Sequence, residues 1–404
     1  MKLAHFGTFD VANYGDLLFP RIVEHELGAQ FDEFRHISPI GGQPYDDVPA
    51  SISVRRALSS GEKFDAVMIG GGNILHGRPT GMPEYASVSS SAYPDLWLAA
   101  ARIAREQQIP LVVNSPGVAS PLAWPETSAV RVLRETAEYF AVRDVRSADL
   151  LTGAGGVDAV VPDTALLVNQ AIPFAGQASL DALEGQLAGL RVGEYFVAHA
   201  NDRYLGAGVH EVASALDELA RLSGTRPVLV VIGAVQGDAA VVQAIAREMT
   251  SDPVIVREPR RVGDIAHLIA GAAFYAGSSM HGFITAVSFG VPAHLSIPSA
   301  KHHKFAGFAE HVGAASNVHS TWTELVASAA AGDLAEFLRP AAGGAAEQLV
   351  RQHWDRVRSS LSTASPERSN NVLAVRAVRE AVVLRNRTAT RTRTLRTALR
   401  RTSR

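Results

Sequence analysis

The sequence predicts an α/β chain of two doubly wound units facing each other across a cleft, followed by a helical extension and a basic tail. Three observations carry this. Short apolar runs of four to eight residues alternate with helix-period segments, the pattern of parallel strands joined by crossover helices. The rhythm stops in Ala171 to Arg191, rich in Gly, Ala and Gln, and then restarts. After about residue 340 the alternation ends and polar and arginine-rich segments take over.

Taken in order, the first unit reads LAHF, a helix over Leu17 to Leu27, FDEFRHI, FDAVMIGGG, a helix over Leu96 to Glu106, PLVVNSPG, a helix over Ser128 to Glu138, EYFAVRD, a helix over Ser147 to Thr152, and AVVPDTALL. The second reads EYFVAHAN, Val209 to Leu222, RPVLVVIG, Asp238 to Met249, PVIVRE, Val262 to Ala270, AFYAGSS, His281 to Phe289, PAHLSI and Lys304 to His311. The expected domains are therefore 1–180, 190–340 and a C-terminal part, 341–404, made of a closing helix over Ala345 to Leu361, a polar linker over Ser359 to Asn371, a helix over Val372 to Leu384 and the tail. Ile265 to Ala300 carries no Asp, Glu, Lys or Arg and is long enough to span a bilayer, but GSSMHG and Val291-Pro292 within it point to a buried helix, strand, helix, strand run instead.

At 404 residues, 47% apolar and 19% charged, the chain has core enough for two or three domains and is neither disordered nor a stapled scaffold. With no cysteine, disulfides, thiolate metal sites and cysteine nucleophiles are excluded. The N-terminus meets Gly, Asp and Asn too early for the apolar core of a secretion signal, so a cytoplasmic location is expected. The formal charge is −2, with no net positive field for nucleic acid. It is unevenly spread: residues 381–404 hold eight arginines and no acid, so −2 less the tail's +8 leaves −10 on residues 1–380. Such a tail is expected to be disordered, dispensable for chemistry, and able to make peripheral contact with an anionic membrane; the alternative is that it folds back on the acidic body, with Val372 to Leu384 docking it.

Chemistry is expected at strand carboxyl ends, where open α/β sheets bind ligands. TFDVANYGD follows the first strand and offers Asn13, Gly15 and Asp16, although a turn with Asp16 as helix cap explains it equally well. Gly70, Gly71 and Gly72 close an apolar strand where bare backbone lets a ligand approach, or where the chain simply exits tightly. Ser278, Ser279 and His281 stand at a strand-to-helix switch suited to an anion. Lys301, His302, His303 and Lys304 could bring cations to the same edge. No metal-binding pattern and no nucleophile elbow are present, so neither a metal nor serine hydrolysis is expected.

These motifs, in this order, resemble the polysaccharide pyruvyl transferase family. Asn13-Tyr14-Gly15-Asp16 resembles its N-x-G-D loop, Asp65 to Gly72 its D-x-x-x-x-G-G-G, and Val142-Arg143-Asp144 with Ser147 and Leu150 its V-R-D-x-x-S-x-x-L. VPDTALL is similar to its D-P-A-F-L segment, GSSMHGFITAVSFGVPAHLSI to its G-x-R-L-H stretch, and Lys304 with Phe308 and Val312-Gly313 to its K-x-x-x-F-x-x-x-L-G, covering about residues 1–315 in all. The resemblance implies two Rossmann-like domains in a GT-B-like arrangement, acceptor side first and donor side second. It implies transfer of pyruvate from phosphoenolpyruvate, a donor substrate rather than a cofactor, onto sugar hydroxyls of a cell-surface polysaccharide or its lipid-linked precursor, giving a ketal. In that chemistry His281 is the expected proton donor and Asp16 the base. Arg143, Lys304 and, less centrally, Arg203 are the expected cationic clamp, with Asn13, Gly71, Gly72, Ser278 and Ser279 lining the substrate. One position departs from the family: Ser279 stands where the pattern has Arg, replacing a bidentate anion grip by a short hydroxyl. A nucleotide-sugar glycosyltransferase of similar fold and a noncatalytic carbohydrate-assembly protein are the alternative readings.

Overall fold

The computed structural model describes residues 1–183, 187, 189–206, 208–233, 237–299, 305–331, 334–362 and 371–402, with backbone alone at 331 and 391–402. The apolar runs form two wholly parallel sheets. The first contains β1 (Lys2–Phe6), β2 (Glu33–Ser38), β3 (Ser51–Ser53), β4 (Ala66–Gly70), β5 (Leu111–Asn114), β6 (Tyr139–Val142) and β7 (Ala159–Val160) in the order β3-β2-β1-β4-β5-β6-β7. The second contains β8 (Tyr195–His199), β9 (Arg226–Val230), β10 (Val254–Val256), β11 (Tyr275–Gly277), β12 (Ala293–Ser296) and β13 (Val318–His319) in the order β10-β9-β8-β11-β12-β13. Central strands such as β4 and β8 are buried along their whole length because helices cover both faces, which is why they read as continuous apolar runs. The architecture is α/β with two parallel, doubly wound sheets in a GT-B-like arrangement.

Both sheets reverse their winding at the same place, between β1 and β4 in one and between β8 and β11 in the other. Such a switch leaves a crevice at the strand carboxyl ends because the crossovers diverge to opposite faces. The two crevices meet. Asn13 and Gly233 form an antiparallel bridge, Tyr14 N–H donates to Ile232 O at 2.9 Å, and the Tyr14 and Thr285 hydroxyls share a buried hydrogen bond at 2.9 Å.

Of Ile265 to Ala300, the described residues 265–299 fold as the expected alternation: part of helix Val262–Ala270, β11, helix Met280–Ser288, β12. No helix among the described residues is long and apolar enough to cross a membrane. Helix Gly344–Ser362 returns to the first sheet, where His353 Nε2 donates to Asn114 Oδ1 at 2.7 Å and Tyr139 donates to His353 Nδ1 at 2.9 Å. Burial drives that imidazole down to about 3, consistent with a neutral ring making both bonds.

The expectations for the C-terminus need correction. The polar linker is shorter at its start, since the preceding helix runs to Ser362; residues 363–370 lie outside the described part. The basic segment is not a free tail from residue 381. A single helix spans Val372–Thr402, and its first half lies against helices Ala92–Gln107 and Glu126–Thr136 with Val375 and Val382 fully buried. Arg379 grips Asp95 through two hydrogen bonds of 2.5 and 2.8 Å, and Arg385 pairs with Glu126 at 2.9 Å. Acids of the body, together with an apolar stripe, hold what composition alone marks as a solvated run.

Candidate active site

The crevices combine into one cleft of about 320 Å³. The loop after β1 contributes Thr8, Asn13 and Asp16; that after β4 contributes Gly72, Asn73 and His76; that after β8, Asn201 and Arg203; and that after β11, Ser278, Ser279 and His281. Arg143 enters from the end of β6. The helix after β1 begins at Tyr14, so Asp16 lies inside its first turn rather than at the cap, and Asn13 Nδ2 donates to its Oδ2 at 2.8 Å. Burial, opposed by hydrogen bonds from Thr8 and Asn13 and reinforced by the Asp163 charge, pushes Asp16 up to about 7.

Two glycines make this packing possible. A Cβ on Gly15 would lie 2.0 Å from His281 Nδ1, and one on Gly72 would lie 2.8 Å from Asp16 Oδ1 at a φ of +70° that favours glycine anyway. Gly71 serves the core instead: a side chain there would strike the ring of Phe19, and the residue does not line the cleft.

His281 stands in the first turn of helix Met280–Ser288, half-buried, with its ring and that of Phe19 at right angles and 5.8 Å apart. Its Nε2 has no hydrogen-bond partner and lies 3.8 Å from Asp163 Oδ2, which is likewise buried and unpartnered. Arg143 Nη1 is 3.7 Å from the same Asp163 oxygen and its Nε 3.4 Å from Asp144. Burial drives the His281 imidazolium down, against the pull of Asp163 and with the push of Arg143. Orphaned buried polar atoms are costly, and these two, on His281 and Asp163, stand together beside the cleft.

Other expected residues have other duties. Ser278 Oγ accepts from Asn201 N–H at 3.1 Å and Ser279 Oγ caps its helix by accepting from Gly282 N–H at 3.2 Å, so both hydroxyl oxygens already serve backbone while lining the cleft. Arg203 lines the opposite wall and is exposed. Lys304, with Lys301, His302 and His303, lies outside the described residues.

Sequence reasoning missed several groups in and behind the cleft. Asp163, the buried acid of VPDTALL three residues after β7, is a polar residue interrupting an apolar run and lies behind the cleft beside His281. His199 ends β8 and shares its Nε2 with Asp238 Oδ2 at 2.8 Å, while Asp238 also accepts from Gly233 N–H at 2.7 Å and from the Asn201 amide. These partners hold the Asp238 carboxyl low against its burial. A histidine closing a buried strand was the available signal. Among the described residues no group of three or more His, Asp or Glu side chains could hold a metal ion.

Solved structures of similar shape include the UDP-GlcNAc 2-epimerase of Methanocaldococcus jannaschii (13% identity, TM-score 0.53, 87% of this chain and 99% of that one). The Neisseria meningitidis UDP-GlcNAc 2-epimerase bound to UDP-GlcNAc matches at 14% identity and TM-score 0.53 over 88% and 100% of the chains, and an Anabaena protein in complex with UDP and glucose at 14% and 0.53 over 90% and 99%. At such identities the likeness is one of fold. No curated protein matches the chain. The model of the family described as polysaccharide pyruvyl transferase, however, matches residues 13–296, from the Asn13 that binds Asp16 through the β12 strand that follows His281. With most of its length matched, including both walls of the cleft, the chain belongs to the polysaccharide pyruvyl transferase family.

Proposed function

We propose that this protein transfers pyruvate from phosphoenolpyruvate to two hydroxyls of a saccharide, forming a cyclic ketal and releasing phosphate. The observation that carries the reading is the unpartnered pair of His281 Nε2 and Asp163 Oδ2 beside the Arg143 guanidinium, buried at the meeting point of the two sheets. The donor is an enol phosphate with a carboxylate. A proton delivered to its methylene carbon makes a methyl group and leaves C2 electron-deficient. A first hydroxyl adds to C2 and surrenders its proton; the C2–O bond to phosphate breaks; a second hydroxyl closes the ring and surrenders the other. One proton is consumed at carbon and two are released, so the balance is one proton leaving with phosphate.

His281 supplies the carbon-bound proton in this scheme. Burial favours its neutral form, whereas the donor's negative charge favours the imidazolium, so protonation and donor binding reinforce each other. Arg143, 10% exposed at its side chain, offers a desolvated cation to carboxylate or phosphate. Arg203 completes the clamp in place of the arginine that the family pattern has where this chain has Ser279, and Lys304, outside the described residues, is a further candidate on sequence grounds. Asp16, poised near 7, takes the hydroxyl proton. The acceptor is a cell-surface glycan or its lipid-linked precursor, and the chain works in the cytoplasm at the inner face of the membrane.

The test is a thermal shift with phosphoenolpyruvate, followed by turnover of His281→Ala. Loss of a general acid removes a rate factor on the order of 10² to 10⁴. Stabilisation by phosphoenolpyruvate with turnover abolished in the variant is expected. Stabilisation by UDP and not by phosphoenolpyruvate would replace this reading with a nucleotide-sugar transferase, which the fold of the UDP-binding neighbours favours; a response to neither would indicate a noncatalytic partner.

A further inference from the structure

Away from the cleft, and sharing no lining residue with it, the first unit and the C-terminal helix enclose a second cavity of about 520 Å³. Its walls are helix Val54–Ser59, the chain from Ser87 into helix Ala92–Gln107, and the C-terminal helix between Val375 and Arg387. Two chemistries meet in it. The apolar part of the lining is aliphatic, led by Val54, Leu58, Val88, Leu98 and Val375, and among the described residues no aromatic side chain contributes. The charged part is Arg55, Arg102, Arg376, Arg379 and Arg387 against Asp95 and Glu380, a formal +3 in a chain whose residues 1–380 carry −10. Nucleotide bases and sugar rings are typically gripped on aromatic faces, which this lining lacks. A phosphate carried on an aliphatic chain meets both halves of it.

The five arginines are not equally committed. Arg379 is spent on Asp95, while Arg102 and Arg376 both turn to Glu106, outside the lining, at 2.7 and 3.5 Å. Arg55 and Arg387 are exposed and have no hydrogen-bond or ion-pair partner among the described residues. The backbone of Arg387 is nevertheless fixed at the rim, because the two residues before it pin the helix. Arg385 Nη2 donates to Gly77 O at 2.9 Å, and the buried Asn386 amide donates to Gly77 O at 2.6 Å and to Ser90 O at 2.8 Å. Two uncommitted guanidiniums at the edge of an aliphatic cavity fit an anion with an apolar continuation. The same helix exposes Leu373 and Leu384, eleven positions or about three turns apart and so on one face, and six more arginines follow residue 390 with no acid among them. Exposed leucines on a basic helix suit the surface of an anionic bilayer.

We infer that this cavity binds the phosphate headgroup and adjoining acyl carbons of an anionic membrane lipid, with Arg55 and Arg387 as its phosphate ligands. Stable attachment to a bilayer takes two signals, and a headgroup site beside the arginine-rich end of the same helix supplies them together. The inference stands apart from pyruvyl transfer, because its test involves no phosphoenolpyruvate. That test is calorimetric titration of the full chain with dihexanoyl phosphatidic acid at concentrations where it stays monomeric. Saturable binding at one site is expected, about tenfold or more tighter than with dihexanoyl phosphatidylcholine or inorganic phosphate. Arg55→Glu and Arg387→Glu are each expected to weaken it by about tenfold or more without changing the thermal unfolding of the lipid-free protein, whereas Arg393→Glu, the same charge change further along the chain, should leave it intact. Should either reversal disturb the fold, Arg55→Gln and Arg387→Gln put the same question with a smaller loss. Equal binding of phosphatidylcholine would mean apolar contact alone, and equal binding of inorganic phosphate a site for free anions. Equal weakening by Arg393→Glu would mean general charge attraction, and a preference for a hexaglutamate peptide a groove for an acidic protein segment. Each of these overturns the assignment, as do absence of binding and unchanged affinity in the folded Arg55 and Arg387 variants.

Discussion

Gly15→Ala is the smallest perturbation that reaches the proposed proton donor. The added Cβ would lie 2.0 Å from His281 Nδ1, and ordinary contact begins at 3.4 Å, so the imidazole must retreat by 3.4 − 2.0 = 1.4 Å. It has little room to do so, with Phe19 against its edge and the helix Met280–Ser288 behind it. Misplacement of a catalytic group by about 1 Å can cost on the order of 100-fold in rate, so a loss of that size or more is expected. Stability should change much less. Overpacking costs about 1–3 kcal/mol, against which replacing glycine within a helix returns up to about 1 kcal/mol. The diagnostic is a double-mutant cycle in denaturant unfolding, which needs no substrate. In a His281→Ala background the clash is gone and Gly15→Ala should be neutral or stabilising, giving a coupling of about 1–3 kcal/mol between the two sites. Additive effects, or full turnover by Gly15→Ala, would show that the ring is not held where the structure has it.

The pH dependence of turnover should be bell-shaped, its rising limb near 7 set by ionisation of Asp16 and absent in any residual activity of Asp16→Asn. The same group bears on stability with a definite sign: because burial raises it from 3.8 to about 7, the folded state holds the proton more tightly than the unfolded one, and stability falls as pH rises across that window. Chemical denaturation of Asp16→Asn should show that slope flattened; an unchanged slope would place the titration elsewhere. Ser279→Arg restores the family's arginine at the mouth of the donor chamber and should raise phosphoenolpyruvate affinity in a thermal-shift titration, at a cost of about 1 kcal/mol for the lost cap. Lowered affinity would mean that another cation already fills that space. Truncation after residue 390 should abolish salt-sensitive sedimentation with anionic vesicles, since it removes six of the eight arginines in residues 381–404. Binding that survives truncation, or that ignores salt, would rule out a membrane role for this segment.

The parallel sheets were legible because their physics is local. Central strands buried on both faces must be apolar throughout, so β1, β4, β5, β8, β9 and β11 announce themselves, while β3 and β13, with three and two residues at the sheet edges, carry no comparable pattern. The site was legible where a strand end coincided with an unusual residue: Asn13, Asp16, Gly72, Arg143 and His281 all reach one cleft. It was illegible where the geometry depends on a partner distant in sequence. Asp163 matters through its nearness to His281, 118 positions away, and His199 through its bond to Asp238. The docking of Arg385 and Asn386 on Gly77 was invisible for the same reason, and composition pointed the other way because a dense arginine run ordinarily stays in water.

Gly15 shows why the two walls of the cleft are interdependent. It belongs to the first unit and His281 to the second, yet neither has a position without the other: the missing side chain of one is the space occupied by the ring of the other. Tyr14, one residue earlier, secures the approach with its backbone N–H on Ile232 and its hydroxyl on Thr285, and Asp16, one residue later, turns into the cleft. Three consecutive residues therefore provide docking, clearance and, under the proposed function, acid–base chemistry in turn. A rearrangement that separated the units would break the Tyr14 contacts and carry Asp16 away from His281, so the proposed proton donor and proton acceptor would cease to share a substrate at the same moment. If pyruvyl transfer proceeds as proposed, separating the units and losing catalytic competence are one event, and the sequence that couples them is Tyr14-Gly15-Asp16.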